Sequence, residues 1–117
     1  MIKMSISEIT DRLSIAILKQ ERTDVDMTSE INFYKTELDL YEDSDLYLDK
    51  LKEVNGKIWD LESDIRSGKE GLLGLEEVGR RALMIRDLNK IRVGYKNEMV
   101  EKYDEGFKEI KINHGSS

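Results

Sequence analysis

Between residues 47 and 65 the apolar side chains Tyr47, Leu51, Val54, Ile58, Leu61 and Ile65 recur at alternating intervals of four and three. That spacing lays them along one seam of an α-helix. A seam of this length needs a partner surface, so the chain must supply further helices to cover it. None of the 117 residues is proline, the residue that most strongly breaks a helix interior. The fold class read from this is all-α: an antiparallel helical bundle of about four helices. It forms a single domain over residues 1–113, with 114–117 as a frayed tail.

The other helices announce themselves less loudly. Ser5 followed by Glu8 makes a capping box at the start of a first helix, Ile6 to Arg22. Its stripe is Ile6, Ile9, Leu13, Ala16 and Ile17, with Gln20 in the same line, while Ile15 and Leu18 point away. A helix apolar on two sides is central in its fold or sits at an oligomer interface. The second helix carries Ile31, Tyr34, Leu38 and Tyr41 after a loop in which Asp26 or Thr28 is the cap. Asp43 or Ser44 caps the third helix, which stops near Ser67 and Gly68. A fourth begins between Leu72 and Leu75 and reaches Tyr103, weakened by Gly79 and Gly94. Residues 2–6 and Ile110 to Ile112 alternate apolar and polar, and the tail is expected to pair with residues 2–5 as a short strand.

Several functions are disfavoured. The chain has no cysteine, so disulfides and thiolate metal sites are excluded. Its only histidine is His114, which leaves nucleophilic triads unsupported. Gly68-Lys69-Glu70-Gly71 lacks the spacing of a phosphate loop. A net charge of −6 without a basic cluster argues against nucleic acid and against anionic membranes. No apolar run is long enough to cross a bilayer, and the opening MIKMSISEIT lacks a signal-peptide core, so a cytoplasmic location is expected. Glu98, Glu101 and Asp104 share a helix face, as do Asp39, Glu42 and Asp45, which resembles the acidic motifs of all-α nucleotide pyrophosphohydrolases. Glu101 lies opposite the apolar arc of its helix, so a solvated charge face is the better reading. No metal site and no cofactor are expected.

The informative residues are polar ones in apolar places. On the fourth helix Met84, Leu88, Ile91, Tyr95 and Met99 mark one flank of the apolar arc, and Val78, Ala82 and Val100 mark the other. Between them fall Ile85 and Tyr103, but also Asn89, Arg92 and Lys96. On the third helix Asn55, Glu62 and Arg66 fall between the seam and Trp59, itself read as a core anchor. Buried charge is costly unless paired. Glu62, Arg66 and Arg92, with Asn55 and Asn89, either satisfy one another as a structural network or line a wet cleft between helices. Long cationic side chains can also snorkel out to water. The candidate ligand-binding set is Lys19, Arg22, Asn55, Trp59, Glu62, Arg66, Asn89, Arg92 and Lys96, with Glu62 orienting an arginine.

At these residues the sequence resembles a family of small, mainly helical bacterial and phage proteins, a domain of unknown function. The family's early helix reads D-[KR]-L-x-I-x-x-x-K-x-E-R, met here by Asp11, Arg12, Leu13, Ile15, Lys19, Glu21 and Arg22. Its later helix reads V-N-x-x-[LI]-W-D-[IL]-E-x-x-[IL]-R, met by Val54, Asn55, Ile58, Trp59, Asp60, Leu61, Glu62, Ile65 and Arg66. A last helix reads N-D-x-R-x-x-x-K, met by Asn89, Arg92 and Lys96, with Lys90 in place of the aspartate. Glu109-Ile110-Lys111 stands where the family closes with E-V-K. The resemblance implies a shared polar interior and carries no activity. The expectation is a small binding or assembly module whose interhelical cleft holds a small anion, such as a phosphorylated metabolite. A purely structural homo-oligomer, most simply a dimer, is the alternative, and a divalent-metal-dependent nucleotide hydrolase is the second.

Overall fold

The computed structural model describes residues 4–66 and 70–103. They form four helices in chain order: α1 (Ile6–Arg22), α2 (Thr28–Leu38), α3 (Ser44–Asp64) and α4 (Glu70–Tyr103). The fold is an all-α bundle, and no strand occurs among the described residues. The expected pairing of residues 2–5 with the tail falls mostly outside them. Met4 and Ser5 are not in a strand, and α1 begins at Ile6 as expected.

α1 starts where its cap predicts. The Ser5 Oγ accepts a hydrogen bond from the Glu8 backbone N–H at 3.2 Å, satisfying one donor of the first turn. The return half of the capping box is replaced: the Glu8 carboxylate turns to Arg12 and Lys96. Between α1 and α2, Gln20 accepts from the Met27 N–H at 2.8 Å and from the Thr28 hydroxyl at 3.3 Å. Gln20 is thus an exposed turn-closing residue, not part of the inward stripe. Asp26 accepts from the Thr28 N–H at 3.0 Å, so the expected acidic cap is present one residue before Met27, the residue that ends the loop. At the next turn Asp43 adopts a left-handed conformation, φ 65°, which lets α3 start abruptly.

α1 is the central helix and packs against α2, α3 and α4. Ile6, Ile9, Leu13 and Ala16 meet Ile31, Tyr34 and Leu38 of α2, Leu51, Val54 and Ile58 of α3, and Met99 of α4 in one core. Leu18, expected to face away, is buried within the bundle, while Ile15 is 36% exposed. Leu18 packs beside Gly56 of α3, where a Cβ would make ordinary contact with Leu18 at 3.6 Å and a tight one with the Arg22 guanidinium at 3.2 Å. Tyr41, Tyr47 and Tyr103 close one end edge to face.

α4 is less buried than its apolar arc predicts. Gly74 interrupts it at φ 77°, a conformation open to glycine. Beyond that point Leu83 is 52% exposed, Met84 40% and Ile91 47%. Among the α4 residues whose burial is described, only Lys96, Met99 and Val100 in the C-terminal part are fully enclosed. Residues 67–69, where α3 was expected to stop, lie outside the described residues.

Candidate functional site

The site begins with an acidic residue that the wheel argument did not select. Ser7, Asp11, Ser14 and Leu18 follow one another at intervals of four, three and four, and all four are buried. Small polar side chains on that line let α3 and α4 approach α1 closely. Asp11, 1% exposed, lies where the three helices meet. Arg92 of α4 grips it with two bonds, Nε to Oδ1 at 3.0 Å and Nη2 to Oδ2 at 2.5 Å. Asn55 of α3 donates to Asp11 at 2.9 Å and to the Ser14 hydroxyl at 2.8 Å. Lys96 donates to Glu8 at 3.1 Å and stands 3.9 Å from Asp11.

These contacts set the charge of the carboxylates. Burial pushes the Asp11 carboxyl up, but hydrogen bonds from Arg92 and Asn55, with the charges of Arg92 and Lys96, outweigh it and hold the group below its ordinary value. Burial likewise pushes Glu8 up, and bonds from Arg12 and Lys96 bring it below the ordinary range. Asp11 is therefore an anion at neutral pH. Every fully buried side-chain nitrogen and oxygen among the described residues has a partner, so this network is complete.

Above it opens a cavity of about 590 Å³, a volume suited to a small organic molecule. α1 contributes Ile15, Leu18 and Lys19; α3 contributes Asn55, Ile58, Trp59 and Glu62; α4 contributes Asn89 and Arg92. Arg66, just past the end of α3, completes the lining. There the Ile65 N–H is shared between the carbonyls of Leu61 and Glu62. Nearby, Arg81 ties α4 to Asp64 at 2.7 Å.

Seven of the nine residues nominated from sequence line this cavity: Lys19, Asn55, Trp59, Glu62, Arg66, Asn89 and Arg92. The other two lie elsewhere. Arg22 turns to the far side of α3 and donates to the Gly56 carbonyl at 3.1 Å and to Asp60 at 2.7 Å. Lys96 is enclosed beneath the cavity by Glu8 and Asp11. The expected pairing of Glu62 with Arg92 is not formed, because Asp11 takes the guanidinium. Trp59 is half-buried on the cavity wall, so it is less a core anchor than expected. Asp11, the residue missed, had a signal in the four-three-four spacing of buried positions on α1.

Among the described residues no group of three His, Cys, Asp or Glu side chains is placed to hold a metal ion, and no helix is long and apolar enough to cross a membrane. Glu98 and Glu101 are exposed, and Asp104 lies outside the described residues. No family model, curated protein or solved structure matches this chain, so its site stands on its own geometry.

Proposed function

We propose that this protein is a small helical binding module that holds a small organic anion in the cleft between α1, α3 and α4. What supports the reading is one cavity lined by two cations, Lys19 and Arg66, that make no ion pair with any described residue. Arg92, by contrast, is occupied by Asp11 and contributes chiefly by fixing the wall. An anion entering here meets donors from two helices, with Trp59, Ile15, Leu18 and Ile58 to cover its carbon skeleton. A cytoplasmic location, and membership of the bacterial and phage family that the sequence resembles, belong to the same proposal and rest on sequence features alone.

The experiment is a thermal-shift screen with carboxylated and phosphorylated metabolites, repeated on Lys19→Gln and Arg66→Gln. The expected result is a rise in melting temperature that either substitution diminishes. A rise indifferent to both would refute the cleft as the binding place.

A second reading is an assembly module. It takes support from Leu75, Leu83, Met84 and Ile91 of α4, exposed by 92%, 52%, 40% and 47%. Those side chains would be covered in a homo-oligomer, most simply a dimer. Light scattering that gives a monomer mass at millimolar chain concentration would remove this reading.

A further inference from the structure

Glu62 is an odd residue for a site that takes only anions. It sits on the cavity wall one helical turn before Arg66, where oppositely charged side chains readily pair, yet the two make no ion pair. Neither makes a hydrogen bond or ion pair with any other described residue. Asn89, on the facing helix, is also without a side-chain partner among the described residues. Asn55 and Arg92 are committed to Asp11. The groups left to meet a ligand are therefore two cations, one carboxylate and one amide.

The geometry points to a ligand that carries both charges: a zwitterion of the amino-acid class, with a carboxylate, an ammonium group and an apolar side chain. This rests on the cleft being an anion site and goes further by giving Glu62 a role. Lys19 and Arg66 take the carboxylate, Arg66 by its planar fork. Glu62 takes the ammonium, since a carboxylate only accepts and an ammonium only donates. Asn89 can serve either partner. Ile15, Leu18, Ile58 and Trp59 form the wall that covers the side chain. A purely anionic ligand would leave Glu62 facing like charge, which penalises it and rejects it in favour of the zwitterion.

The test uses matched triplets: each apolar or aromatic amino acid, the acid lacking its amine, and the amine lacking its carboxylate. Inorganic phosphate serves as a fourth probe. Binding is read from Trp59 fluorescence and from the indole N–H resonance of Trp59, the only tryptophan in the chain. Wild type, Glu62→Gln and Arg66→Gln are compared after circular dichroism shows that each is folded. We expect at least one amino acid to bind about tenfold more tightly than its deaminated acid, the worth of one charge-assisted hydrogen bond. That preference should vanish in Glu62→Gln, while Arg66→Gln weakens both compounds. If the acids or phosphate bind as well as the amino acids, and Glu62→Gln changes nothing, the zwitterion assignment is overturned and the anion cleft stands. If no probe moves the Trp59 signals, both are overturned.

Discussion

Replacing Asp11 by alanine should cost more than any other single polar substitution in this protein. The carboxylate is 1% exposed and accepts two bonds from Arg92 and one from Asn55. Breaking a buried pair by removing one partner typically costs about 3–5 kcal/mol. Two features moderate that figure. The Arg92 side chain is 30% exposed, so it can recover some hydration when its partner is lost. Asn55 keeps its second partner, Ser14. Asp11→Ala should therefore lose about 3 kcal/mol, a large part of the ~5–15 kcal/mol that holds a typical domain together. In a chain of 117 residues that lowers the melting temperature by about 12 °C. Urea denaturation followed by helical circular dichroism measures it. The double variant Asp11→Leu with Arg92→Met should be more stable than the sum of its parts by about 2 kcal/mol. A loss below ~1 kcal/mol for Asp11→Ala, or strict additivity in the cycle, would refute the claim that Asp11, through Arg92 and Asn55, joins three helices.

Other expectations follow from single features. The Asp11 and Glu8 carboxyls sit below their ordinary values of 3.8 and 4.5, so the stability they contribute is present above those values and lost as pH falls through the folded-state values. Acid titration should show a steep loss of stability below about pH 4, and Asp11→Asn should flatten that limb. Gly94 is helical, with open space where a Cβ would stand, so Gly94→Ala should raise stability by about 0.8 kcal/mol in thermal melts. Gly74 has φ 77°, so Gly74→Ala should lower stability by about 1 kcal/mol despite equally open surroundings. Glu77, held down to about 2 by Arg80 and Arg81, lies at the part-exposed surface of α4, and Glu77→Gln should leave the melting temperature nearly unchanged at high salt.

The bounds of α1 and the core of α3 were legible because both follow from spacing and capping. Ser5 stands before an apolar stripe, and the four-three seam holds Leu51, Val54 and Ile58 in register. The cavity was legible for the same reason, since polar residues on the inner arcs of two helices had to share a place. The partner of Arg92 was not. A helical wheel shows which way a side chain points, but not how far along a neighbour it lands. Glu62 and Asp11 are both carboxylates on inward arcs, and only the tilt of α4 across α1 chooses between them. Arg22 escaped for a subtler reason. It crosses outside α3, passing close to Gly56 and bonding its carbonyl and Asp60, a route that a helical wheel does not display. Met84 and Ile91 are exposed although Ile85, Leu88 and Tyr95 beside them pack on the core, so the buried arc of α4 is narrower than a wheel of apolar residues draws it.

α1 and α4 run in opposite directions, and their charges meet in order, Glu8 with Lys96 and Asp11 with Arg92. The two cations stand four residues apart, one turn of the rod. Were α4 to slide by that turn, about 5.4 Å, only one of these couples could re-form, and a carboxylate would be stranded between the rods. Greasy side chains forgive such a slip because one resembles the next. The paired charges act as a two-toothed key that admits a single notch, and the place of Asn89 in the cavity wall is inherited from it.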